Sequence, residues 1–212
     1  MDTDMKSNTL STLSLTAATL ATNALAADTS DVNELVAKIK SKDDAVRGPA
    51  WQGAGPVGAR AVGPLAEVMT DADFETARCA KRAIEKVVRH AGRPGADPER
   101  KAVQTELVKL LKHASANVRR HATWMLSEIG DDAAVEPVAA LLADSELRED
   151  ARCSLERIPG AKATAALKQA MSTAPEAFKY ALANSLRVRG EKVEGYPSQK
   201  LVPTKQTSVK AG

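Results

Sequence analysis

Few residues in this sequence are equipped for covalent chemistry, and those that are stand apart. The three histidines, His90, His113 and His121, lack H-E-x-x-H spacing and have no cysteine pair beside them, so no zinc set is spelled out. Cys79 and Cys153 are too distant along the chain to form a local redox motif. Joining them would require an oxidising compartment and close approach of their Cα atoms. The repeat described below puts them two units apart, which leaves each as a small helix-face residue. No G-x-S-x-G nucleophile elbow occurs. Glu128 and Glu156 read as solvated helix faces, not as a catalytic pair. The run "GAGPVG", Gly53 to Gly58, formally satisfies G-x-G-x-x-G. That motif binds a pyrophosphate only between a strand and a helix, and here an amphipathic helix precedes it. No catalytic residue, cofactor site or metal site is expected.

Recognition chemistry is better represented. In "NVRRHATWMLSEIG", Asn117 to Gly130, the apolar positions Val118, Ala122, Met125, Leu126 and Ile129 fall on one face of a helix. On a helical wheel Arg120, Trp124 and Ser127 lie on the opposite side. Arg78, Arg82 and Tyr180 take equivalent places in other segments, together with Glu149, Cys153 and Asn184. A tryptophan beside arginines on an outward face has the chemistry of an interface anchor. Trp51 sits one position earlier in its own segment and reads as core.

The elements that must position these residues repeat along the chain. Gly130, Gly160 and Gly190 recur about every 30 residues, and Gly58 closes an earlier copy. Five similar apolar stripes recur, four of them ahead of these glycines: Val46, Ala50, Ala54 and Val57; Ala80, Ile84 and Val87; Val118, Ala122, Leu126 and Ile129; Leu147, Ala151, Leu155 and Ile158; Ala181, Leu186 and Val188. Each stripe follows another helix. "AVGPLAEVM", Ala61 to Met69, matches "AVEPVAALL", Ala134 to Leu142, proline included, and "ATAALKQAM", Ala163 to Met171, continues the set. "VNELVAKI", from Val32, and "VQTELVKLL", from Val103, complete it. Pro64 and Pro137 are expected in first turns, where a missing N–H costs little. An insertion of about 12 residues, "HAGRPGADPER" from His90 to Arg100, reads as a loop. A single helix pair buries too little apolar surface to offset its ordering entropy, so neighbouring pairs must stack.

This pattern resembles the HEAT-like repeat family, in its short form of about 30 residues found in phycobilisome-lyase-type repeats. The resemblance is carried by "NVRRHATWMLSEIGDDAAVEPVAALLAD" and its echoes. It implies an all-α fold, a right-handed α-solenoid of about five stacked antiparallel helix pairs over residues 28–190. "RGPAWQGAGPVG" departs from the pattern and suggests a capping first unit. In such arrays the second helices line the concave side, which would gather Arg78, Arg82, Arg120, Trp124 and Tyr180 on one partner-binding surface. Arg47, Arg119, Arg148 and Lys179 fall at equivalent flanking positions and read as an inter-repeat polar ladder.

Composition agrees. Hydrophobic residues make up 43% but aromatics only 3%, which suits close-packed helices better than sheets. The net charge of +3 selects no class of partner. At the amino end "LSTLSLTAATLATNALA" is uncharged, is too short and Thr-rich for a stable membrane span, and finishes on Ala24-Leu25-Ala26. Residues 1–26 therefore read as a secretory signal, with Met5 as an alternative start, and imply export to the periplasm or beyond. Residues 191–212 form a polar extension that could dock on the last repeat through Tyr196, Leu201 and Val202.

The function expected is that of a monomeric, non-catalytic module that binds a protein partner. Two alternatives carry specific signals. A tetrapyrrole-handling lyase is suggested by relatives with similar repeats, although the low aromatic content offers little flat surface for such a ligand. Nucleic-acid binding is suggested by Arg78, Arg82, Arg119 and Arg120; the scarcity of stacking aromatics and the leader segment argue against it.

Overall fold

A computed structural model describes residues 30–198. The leader, and Leu201 and Val202 of the extension, lie outside the described residues. Every regular element among those described is a helix, and none is long and apolar enough to cross a membrane. The chain divides after Gly130 into two compact units.

Unit 1 contains α1 (30–39), α2 (Asp44–Gln52), α3 (Val62–Val68), α4 (Phe74–Ala91), α5 (Asp97–Leu110) and α6 (Ala116–Ile129). α3 packs on α4 and α5 on α6, which makes pairs. Between pairs, α3 meets α5 while α2, α4 and α6 pack in sequence. First helices thus stack on first helices and second on second, as a repeat array requires. The core they share includes Ile39, Leu65, Ile84, Val87, Leu107 and Leu126, all fully buried. Asp43 and Asp73 begin α2 and α4 by accepting backbone N–H bonds from Ala45 and Thr76.

Two expectations about unit 1 are corrected. The segment from His90 to Arg100 is not a long loop. α4 runs on to Ala91 because Val87, Val88 and Ala91 continue its buried stripe, and α5 already starts at Asp97 with a proline in its first turn. In α2 the buried side is turned by one position: Arg47 is inside and Val46 is 39% exposed. Four residues on from Arg47, Trp51 falls on the same side of the helix. Beyond α2, "GAGPVG" forms a 3-10 turn over Gly55–Val57. A Cβ on Gly55 would lie 3.0 Å from the Cβ of His90, so this glycine lets the turn pack closely against α4. The strand that a dinucleotide motif needs is replaced here by α2.

Unit 2 contains α7 (Asp132–Ala139), α8 (Arg148–Arg157), α9 (Ala161–Thr173) and α10 (Glu176–Val188). It repeats the scheme, with α7 on α9, α8 on α10, and each pair closed on itself. Leu147, Leu155, Ile158, Leu167 and Leu182 fill its core. Pro137 does not sit in a first turn. Asp131 caps α7 six positions before it, whereas the matching stretch ahead of Pro64 is the 3-10 turn Ala59–Ala61. α7 accepts the proline inside the helix and passes directly into 3-10 geometry at Ala140–Ala143. Of the four repeat glycines, Gly58, Gly160 and Gly190 have positive φ, while Gly130 is extended.

Candidate functional site

In unit 1 the outward side of the second helices carries the sequence-predicted residues Arg78, Arg82, Arg120 and Trp124. On α4 the buried positions Thr76, Cys79, Ala80, Ala83, Ile84 and Val87 leave a solvent-facing stripe of Phe74, Arg78, Lys81, Arg82, Glu85, Lys86 and Arg89. Phe74 is 73% exposed and Trp124, on α6, 48%. Exposure of large aromatic surface costs hydrophobic free energy unless something covers it.

The cations of α4 are organised around aromatic rings. Arg78 pairs with Glu75 one turn back, and its Cζ lies 6.0 Å from the centre of the Phe74 ring. Arg82 places its Cζ 5.2 Å from the centre of the Trp51 ring, and Lys86 places its Nζ 5.8 Å from the same centre. Contacts of this kind contribute about 0.5–1 kcal/mol where exposed and about 2 where desolvated. Trp51 is therefore not the core residue expected from its place in the repeat. It is half-buried and forms a platform for two cations. Lys81 and Arg89 approach Glu85 at 3.7 and 4.0 Å, and Arg89 also lies 3.9 Å from Glu128 on α6.

Ser127 corrects the wheel. It is 7% exposed, on a buried flank with Thr123, so the outward side of α6 is narrower than the apolar stripe suggested. Seven residues of the helix, Val118 to Ile129, are buried. Trp124 stays outward because it shares its face with Asn117 and Glu128.

In unit 2 the corresponding side chains satisfy one another. Tyr180 meets Tyr196 of the extension edge-on, with ring centres 5.2 Å apart. Arg187 holds the same segment by donating to the carbonyls of Val193 and Gly195 at 3.2 and 2.8 Å. The described part of the extension is thus docked, and Tyr180 is covered by its own chain. Arg152 donates to Glu149 at 2.8 Å, to Glu156 at 3.3 Å and to Ser185 Oγ at 2.6 Å. Ser185 in turn donates to Glu156 at 2.6 Å. Glu156 is accordingly part of a half-buried network, not a solvated face. Cys153 is half-buried beside Arg152, and burial pushes its thiol above the ordinary range. Both cysteines are free.

The polar ladder is discontinuous. Arg47 bonds Asp44 and reaches Asp73 of the next pair at 3.9 Å. Arg119 donates to the carbonyls of His113 and Ala114, both at 2.9 Å, in its own pair. Arg148 lies over the ring of Phe178 with Cζ at 5.1 Å from its centre, and Lys179 pairs with Glu176 at 3.2 Å. Between the second and third pairs the polar links include Arg89 with Glu128 and His113, whose Nε2 lies 3.3 Å from Glu67 while Nδ1 accepts from the N–H of Ser115. No group of three or more metal-ligating side chains occurs among the described residues.

A family model described as HEAT repeats matches residues 86–156 and 105–187. No curated protein sequence matches the chain. Among solved structures, an engineered protein is 23% identical, with 74% of this chain and 78% of that one covered and a TM-score of 0.39. The designed armadillo repeat protein YIII(Dq)4CqI is 17% identical, with 73% and 98% covered and a TM-score of 0.34.

Proposed function

Residues 86–187 of this chain are HEAT repeats, and on that premise we propose that the protein is an interaction module that docks a protein partner on the α2–α4–α6 face of unit 1. HEAT and armadillo-like repeats commonly serve as protein-interaction scaffolds. The observation that supports this face is a contrast between the units. In unit 2, Tyr180 and Arg152 are occupied by Tyr196, Ser185 and Glu156. In unit 1, Phe74 remains exposed beside Arg78 on α4, and Trp124 remains exposed on α6. Aromatic anchors set among arginines have the composition of an interface centre.

The experiment is site-specific photo-crosslinking. A benzophenone amino acid at Phe74 should give a discrete adduct in native extract. The same group at Thr105, on exposed α5 surface, should not. Trp124→Ala should abolish the adduct from Phe74. Identical adducts from both positions, or none from Phe74, would refute the assignment. The uncharged leader supports export, so the partner is sought outside the cytoplasm. Amino-terminal sequencing of the mature protein should start after Ala26, and a chain starting at Met1 or Met5 would contradict export.

A further inference from the structure

We propose that Trp51, Arg82 and Lys86 form a carboxylate-binding site for an extended, acidic segment of the docking partner. The inference rests on the docking reading and names the chemistry of what docks. The other cations of α4 each have a carboxylate partner: Arg78 has Glu75, Lys81 has Glu85, and Arg89 has Glu85 and Glu128 of α6. Arg82 and Lys86 share only the Trp51 ring, and no carboxylate among the described residues lies within ion-pair distance of either. A ring quadrupole attracts a cation without cancelling its charge. Two like charges on one ring repel each other, and an incoming anion relieves that repulsion.

Both side chains are half-buried, where charge interactions are stronger than in water. Their contact with the ring restricts rotamers in advance, so less freedom is lost on binding. Spacing selects the shape of the ligand. A rise of 1.5 Å per residue places Lys86 about 6 Å further along α4 than Arg82. An extended peptide presents same-side side chains about 6.7 Å apart, so carboxylates at alternate positions meet the two cations in turn.

The test uses the full chain and a fluorescein-labelled peptide of alternating Glu and Ser, read by anisotropy at low salt. A Lys-Ser peptide and a single-stranded oligodeoxynucleotide of matched charge serve as competitors. Arg82→Gln with Lys86→Gln should weaken Glu-Ser binding by about tenfold or more. Lys101→Gln with Lys112→Gln, the same charge change on α5 and the turn that follows it, should weaken it by no more than about twofold. In the unaltered protein the Arg82 Nε–H resonance should shift on titration with Glu-Ser and not with Lys-Ser, which keeps the test independent of how the variants fold. Equal weakening in both double variants, no binding of Glu-Ser, an unmoved Arg82 resonance, or tighter binding of the oligonucleotide would each overturn the proposal. A specific adduct from Phe74 together with any of these results would leave the docking face standing and remove only its acidic ligand.

Discussion

The guanidinium of Arg189 donates to the carbonyl of Ile158 at 2.7 Å, joining the residue just after α10 to the residue that closes α8. The same side chain donates to the carbonyls of Leu155 and Glu156 at 2.9 Å and of Gly160 at 2.6 Å, and to the hydroxyl of Thr164 at 2.8 Å. The last carbonyls of a helix have no partner within it and carry partial negative charge. One planar cation with a fork of donors satisfies several of them at once.

Replacing Arg189 with Ala should therefore destabilise unit 2 by about 3 kcal/mol, given that hydrogen bonds to charged groups are worth about 1.5–3 kcal/mol each and are not additive. Arg189→Lys should recover less than half, because an ammonium cannot span the same carbonyls. Urea denaturation followed by circular dichroism measures both, and an unchanged midpoint in Arg189→Ala would show that the cap contributes little.

Glycine substitutions should separate by sign. At Gly160 φ is +97°, and an added Cβ would lie 2.9 Å from Asp132 Oδ1. Gly160→Ala should cost about 1–3 kcal/mol. Gly48 lies inside α2 with nothing within 4 Å of an added Cβ. Gly48→Ala should raise stability by about 0.5–1 kcal/mol through helix propensity. Melting temperatures that move in the same direction would contradict the backbone assignment.

Asp73 gives stability a dependence on acid. Its carboxylate accepts from the Thr76 hydroxyl at 2.5 Å and from the Thr76 N–H at 3.0 Å, with Lys42 at 3.5 Å and Arg47 at 3.9 Å. The Thr76 bonds, the hydroxyl first, hold its pKa below the ordinary carboxylate value. A pKa depressed in the folded state gives stabilisation that is complete above the unfolded value, about 3.9. It is lost as pH falls through the folded value. Asp73→Asn keeps a capping oxygen but loses the charge. Its melting temperature should lie below that of the unaltered protein at neutral pH, and the gap should close as the solution is acidified. A gap that is constant with pH would show that the charge is not involved.

Trp124 and Leu126 are two residues apart on α6 and should behave oppositely. Leu126 is fully buried, so Leu126→Ala should cost about 2–5 kcal/mol. Trp124→Ala should cost about 1 kcal/mol or less in stability, because the residue is already 48% exposed and buries little further apolar surface. Its consequence should appear in the crosslinking yield from Phe74. Comparable losses of stability in the two variants would identify Trp124 as a core residue.

Much of the fold was legible in the residues. Spacings of three and four with little aromatic content allow amphipathic helices and not strands. Val118, Ala122, Leu126 and Ile129 are buried as their spacing predicts. The stripe of α2 was misread by one position because Arg47 is the buried residue there, and a buried arginine looks polar in any periodicity. Of the candidate site, Arg78, Arg82, Arg120 and Trp124 were found on the outward side of their helices. Phe74 was missed as a lone aromatic at a helix start, and Lys86 as an ordinary surface charge.

By itself, the sequence determined that the chain is a series of helix pairs and which stripe of most helices turns inward, because both follow from local periodicity. Tertiary structure alone decided that Trp51 meets Arg82 and Lys86, that Ser127 is buried on its flank, that Tyr196 covers Tyr180, and that Arg189 closes α8. The physical reason is that these pairings join residues of different elements. They depend on how helices cross and which flanks meet, and those distances are written nowhere in the spacing along a single helix.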